Sequence, residues 1–151
     1  MTTTTTSPST ETALCIKRVF AAPRPRVFDA WTLPDHLKKW FAPSDDYDIP
    51  VAELDLRVGG RYRIVMRHIA KDIRHTVIGV YREIRPQERL VYTWSWEDDP
   101  GSGETLVTVE FRDLGNSTEV TIKHEQFASI DARDKHNMGW MGCLGRLVKA
   151  L

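Results

Sequence analysis

Between Tyr62 and His124 the sequence keeps a period of two, segment after segment, with no helical stretch in between. "RYRIVMRH" sets Tyr62, Ile64, Met66 and His68 on one face against Arg61, Arg63 and Arg67 on the other. "RLVYTWSW" sets Leu90, Tyr92, Trp94 and Trp96 against Val91, Thr93 and Ser95. Val107, Val109 and Phe111 alternate in "TLVTVEF", as do Val120, Ile122 and His124 in "EVTIKHE". "HTVIGVYREI" is apolar on both faces, which suits a strand covered on both sides. "DDPGSG" after Trp96 and Gly115-Asn116 between the last two strands are hairpin signals. Strands that follow one another through short turns pair antiparallel, since a parallel pair needs a long crossover. The apolar face of such a sheet needs a cover, and only one long helical element is on offer.

That element is "HNMGWMGCLGRLVKAL", His136 to Leu151, where Trp140, Cys143, Leu144, Leu147, Val148 and Leu151 recur at helical spacing. Gly139, Gly142 and Gly145 sit inside it, each costing about 0.8–1 kcal/mol relative to Ala. Their presence predicts that a backbone, a ligand or a bulky strand side chain comes close to the helix. Gly139 and Gly142, one turn apart, predict a groove beside Trp140.

Upstream, "LCIKRVFA" predicts a first strand over Leu14–Ala21. "PRPRVFDAWT" and "PDHLKKWFAP" each place Pro at a helix start, with Val27, Phe28 and Trp31, then Leu37, Trp40 and Phe41, on the apolar faces. The predicted fold is α+β: a curved antiparallel sheet gripping a long C-terminal helix, with two short helices after the first strand. Residues 1–13, "MTTTTTSPSTETA", predict a disordered Thr-rich tail ahead of a single domain over 14–151.

The chain carries 21 basic and 21 acidic residues, so its net charge gives no argument for nucleic acid or an anionic membrane surface. No stretch approaches the ~20 apolar residues of a membrane span, and the tail lacks the apolar core of a secretory signal. Cys15 and Cys143 have no metal-type spacing; free thiols in a reducing cytoplasm are the expectation, although two cysteines could pair.

Five phrases in register carry a resemblance over Leu14 to Leu151: "RVFAAPRPRVFDAWTLPDHLKKWFAP", "DLRVGGRYRIVM", "GVYREIRPQERLVYTWSW", "TLVTVEFRDLGNSTEVTIKHEQF" and "HNMGWMGCLGRLVKAL". The sequence resembles the activator-of-heat-shock-ATPase homologue-like branch of the START-like (SRPBCC) superfamily. Trp31, Trp40-Phe41-Ala42-Pro43, Gly59-Gly60 and Gly139-Trp140 fall where that branch places its recurrent residues. The resemblance implies a cavity between sheet and long helix that takes lipids, polyketides or other apolar ligands. It also implies cyclases or hydrolases among the relatives, many small bacterial proteins of unknown role, and frequent homodimers. The chaperone activators that name the branch carry a further N-terminal domain, for which a chain of this length has no room.

The candidate ligand-binding set is Trp40, Phe41, Tyr62, Ile64, Met66, Tyr92, Trp94, Trp96, Phe111, His124, Met138, Trp140, Met141 and Leu144. Its aromatic rings suit an apolar or aromatic ligand, with Tyr hydroxyls and Trp N–H groups to orient it. His124 shares a face with Val120 and Ile122, so it is the candidate acid/base or hydrogen-bond partner. His68, His75 and His136 lack HExxH or paired spacing, so no metal is assigned, and no cofactor is called for. Glu53 and Asp55 in "VAELDL" read as an exposed strand face, and Gly59-Gly60 as a turn rather than a phosphate loop. No nucleophile motif stands out. The expected function is non-enzymatic binding of a small apolar or aromatic ligand; a cyclase or hydrolase in the same cavity and a chaperone-related interaction module are the alternatives.

Overall fold

The five segments between Tyr62 and His124 form consecutive antiparallel strands in a computed structural model, which describes residues 12–151, and one further strand precedes them in the same meander. β1 (Leu14–Phe20) comes first, followed by α1 (Arg24–Thr32) and the single-turn α2 (Pro34–Leu37). Then come β2 (Tyr47–Leu54), β3 (Arg61–His68), β4 (Ile73–Arg85), β5 (Arg89–Trp96), β6 (Thr105–Asp113) and β7 (Thr118–Glu125), and last α3 (Ile130–Ala150). The expected disordered tail falls largely on residues 1–11, which lie outside the described residues.

Strand order is β1-β7-β6-β5-β4-β3-β2, so β2 to β7 form a meander and β1 returns to pair with β7. Pro starts both short helices, and Gly59, at φ +85°, makes the β2–β3 turn that the sequence predicted. Gly115, at φ +95°, turns β6 into β7, its N–H donating to Asp113 Oδ1. A register shift between Asp48 and Val51, at Pro50, bends the edge strand β2.

The long helix starts six residues before the predicted His136. The Ser129 hydroxyl caps it, accepting from the Ala132 N–H at 3.1 Å, and Asp131 lies in the first turn. Its inner face buries Trp140, Cys143, Leu144 and Leu147 against the sheet; Val148 and the two methionines, Met138 and Met141, face outward. α1 and α2 close the far end, where Trp31, Trp40, Phe28 and Phe111 interlock with ring centroids 4.6–5.5 Å apart. Among the described residues no helix is long and apolar enough to cross a membrane.

The three helix glycines divide cleanly. A Cβ on Gly142 would lie 2.1 Å from the Pro43 carbonyl oxygen, so the approach is by backbone of the segment after α2, not by a strand side chain. At Gly139 and Gly145 nothing lies within 4 Å. Gly145→Ala is therefore expected to raise stability by about 1 kcal/mol, the helix-propensity difference alone; urea denaturation would register it as a higher midpoint at unchanged slope.

Candidate functional site

The helix stripe does not close completely on the sheet. Beside Lys135 to Cys143 a pocket of about 310 Å³ remains between α3, strands β2 to β5 and the Phe41–Pro43 segment. That is space for roughly ten water molecules. Phe41, Met66, Trp94, Trp140 and Cys143 are its buried wall. Pro43, Tyr47, Trp96, His136 and Gly139 are half-buried, and exposed His75 and Lys135 mark the side open to solvent.

Trp94 is the hub of that wall. Its ring centroid lies 5.6 Å from those of Trp96 and Trp140 and 5.8 Å from Phe41, while Phe41 meets Trp140 edge-on at 89°. The β5 alternation puts Trp94 and Trp96 on the helix-facing side, and the helix phase brings Trp140 opposite them.

Two indole–imidazole hydrogen bonds join helix to sheet here, running in opposite directions. Trp140 on α3 donates to His124 Nδ1 on β7 at 3.1 Å; Trp96 on β5 donates to His136 Nε2 on α3 at 3.0 Å. Each bond fixes a tautomer, because the accepting nitrogen carries no proton. His124 therefore holds its proton on Nε2, 2.7 Å from Thr105 Oγ1, and that hydroxyl donates onward to the Trp94 carbonyl at 3.1 Å. His136 holds its proton on Nδ1, donating to the Ala132 carbonyl at 2.7 Å.

Burial pushes both imidazoles below their ordinary range, and at His124 the neighbouring His136 adds to it; the Ala132 bond at His136 works the other way. The sign of the pH effect follows. A proton added to either ring converts an acceptor into a donor facing an indole N–H, so the folded state resists protonation and the unfolded chain does not. The stabilisation is complete above the unfolded histidine value near 6.5 and is lost as pH falls from there toward the lowered folded values. The urea midpoint is thus expected to hold from pH 8 to about 7 and drop between about 6.5 and 5. Arg-paired Asp48 and Glu97, with lowered carboxyl values, contribute only in a more acid window. A midpoint flat down to pH 5 would mean that neither histidine is held neutral by the fold.

The remaining candidates separate from the pocket. Trp40 is wholly buried with its N–H donating to the Ala30 carbonyl at 2.9 Å, and Phe111 and Leu144 are core. Tyr62, Ile64 and Tyr92 border a second void of about 20 Å³, too small for a ligand. The Tyr62 hydroxyl donates to the Thr93 carbonyl at 2.5 Å, crossing Gly79, where a Cβ would lie 2.5 Å from the ring. His124 is fully buried and both its nitrogens are taken, so it stands behind the wall as a brace and does not face a ligand. Met138 and Met141, 75% and 50% exposed, sit on the outer face of the helix. From the candidate set, Phe41, Met66, Trp94, Trp96 and Trp140 converge on the pocket.

Tyr47, His75, Lys135 and His136 also line it and were not in that set. His136 and Lys135 could have been found from helix phase, each a turn or so before Gly139 and Trp140. Tyr47, on the bent edge strand, carries no alternation signal. Burial pushes the Cys143 thiol up to about 12, so it is no nucleophile at neutral pH. Cys15 and Cys143 are both free thiols. Glu53 lies on the outer surface and Asp55 pairs with Arg57 at 2.9 Å. Among the described residues no three His, Cys, Asp or Glu side chains gather in a metal-holding group.

Residues 21–151 match the family model described as Activator of Hsp90 ATPase homolog 1-like protein. Among solved structures, protein CV1439 from Chromobacterium violaceum is 29% identical, with a TM-score of 0.83 over 91% of this chain and 95% of that one. Protein NE0264 from Nitrosomonas europaea is 24% identical, with a TM-score of 0.78 over 93% and 94%. The AHSA1 protein from Silicibacter pomeroyi is 22% identical, with a TM-score of 0.78 over 91% and 95%. No curated protein matches.

Proposed function

This chain belongs to the Activator of Hsp90 ATPase homolog 1-like family of the START-like (SRPBCC) superfamily, and we propose that within it the chain binds a small apolar or aromatic molecule in the pocket beside α3. The helix-grip fold of the family is one that suits ligand binding. The observation that carries the reading is the aromatic wall itself: Phe41, Trp94, Trp96 and Trp140 left facing open space instead of one another's full surface. Covering such a wall is worth roughly 25 cal/mol per Å² of apolar area.

Binding is favoured over catalysis because the wall offers no poised group. The Cys143 thiol stays protonated, and both nitrogens of His136 are spent within the protein. A catalytic reading would have to rest on His75 at the open side, 3.9 Å from Asp98.

The test is native mass spectrometry of the purified protein against its denatured mass, together with titration of the neutral fluorescent probe N-phenyl-1-naphthylamine. Excess mass or probe uptake is expected in the wild type and its loss in Gly139→Leu, which sends a side chain into the unoccupied space at that position and improves helix propensity. A bare mass with no probe uptake, or uptake unaltered in Gly139→Leu, would sink the proposal.

A further inference from the structure

Resting on the reading of the pocket as a ligand site, we infer that its ligand is uncharged, with a flat apolar body and no hydrogen-bonding group on the part that enters. Of the indole and imidazole nitrogens along the wall, all but that of Trp94 are already committed. The Trp96 and Trp140 N–H groups are given to His136 and His124, and the His136 Nδ1 proton to the Ala132 carbonyl. The Trp94 N–H is buried without a hydrogen-bond partner and presents no surface to a ligand. A carbonyl or carboxylate carried inward would therefore be stripped of water with no indole or imidazole N–H to replace it, a cost that falls most heavily on a charge.

The open side does not rescue either sign of charge. An anion would find Lys135, but that ammonium is three-quarters exposed and lies 3.1 Å from Asp131 one helix turn away, so it stays in water and partly neutralised. A cation could gain from the ring faces. Yet the ionisable side chains lining the pocket are Tyr47, His75, Lys135, His136 and Cys143, with no carboxylate among them to hold it. Asp98 faces His75 at 3.9 Å and Asp131 faces Lys135, both outside the lining. What fits is a fused-ring hydrocarbon face inside, with any polar substituent at the His75–Lys135 side.

Three probes of nearly one shape separate the possibilities: 1-methylnaphthalene, 1-naphthoate and 1-naphthylmethylammonium, each competing against bound N-phenyl-1-naphthylamine at pH 7.5. The neutral compound is expected to displace the probe at least about tenfold more tightly than either ion. If 1-naphthoate competes as well or better and loses that advantage in Lys135→Ala, the rim lysine selects an anion and the inference is wrong. If the ammonium competes best, the rings act as a cation cage and the inference is equally wrong. Failure of N-phenyl-1-naphthylamine to bind at all would instead remove the pocket reading, and this inference with it.

Discussion

Gly142→Ala is expected to destabilise the protein by about 2 kcal/mol, although it replaces the poorest helix former short of proline by the best. Two terms oppose each other. Helix propensity favours Ala by about 1 kcal/mol in a helix interior. Against it, the new Cβ would stand 2.1 Å from the Pro43 carbonyl oxygen, 2.9 Å from its carbonyl carbon and 3.1 Å from its Cα. Ordinary carbon contacts begin near 3.5 Å, so helix and segment must part by more than an ångström. All three atoms are backbone, and Pro43 lies two residues after Phe41, which is wedged between Trp40, Trp94 and Trp140. Neither side yields by a rotamer change, and overpacking of that kind costs about 3 kcal/mol. The net loss should appear as a lower urea midpoint and a fall in Tm of about 5 °C. Gly145→Ala in the same helix is the matched control, because its Cβ meets nothing and its sign should be opposite. If Gly142→Ala proves neutral, the Pro43 segment is mobile enough to retreat, and the pocket wall it carries is mobile too.

The contrast between those glycines shows what the sequence could and could not say. That something approaches the helix follows from the cost of three glycines; that it is the Pro43 backbone, at one glycine only, is a tertiary fact with no local signal. The same boundary runs through the aromatic residues. Period two assigns Tyr62, Tyr92, Trp94 and Trp96 to the helix-facing side of the sheet, and the structure agrees. Parity is silent about position along the strand, however, and that decides whether a ring ends in the core, as Tyr62 and Tyr92 do, or on the pocket wall, as Trp94 and Trp96 do. Met138 and Met141 are a different case. They neighbour Trp140 in sequence, but at 100° per residue they lie about 160° and 100° round the helix from it. Their outward direction was legible in the phase and hidden only by sequence proximity.

The largest single effect is expected at His124, whose replacement by Ala should cost about 4 kcal/mol. Sequence parity correctly turned this side chain inward, and an inward histidine beside an aromatic wall reads as a ligand partner. The geometry gives it another task. It is fully buried, receives the Trp140 N–H on Nδ1 and meets Thr105 Oγ1 with Nε2, so it ties β7 at once to the helix and to β6. Removing the ring leaves the Trp140 N–H buried and unpaired, at about 1–3 kcal/mol, and opens a void worth a further 2 kcal/mol or so. Two further variants separate those terms. His124→Phe keeps the volume and loses both bonds, so it should recover only the void. His124→Gln offers an acceptor and a donor in place of the ring nitrogens and should recover part of the bonding. Near-ultraviolet circular dichroism would report Trp140, the indole released, and urea denaturation the stability. The pattern expected is Ala lowest, with Phe and Gln each partway back. A His124→Ala protein of nearly wild-type stability would show that the helix is held without this brace. The neutral imidazole would then need a different explanation, contact with a ligand among them.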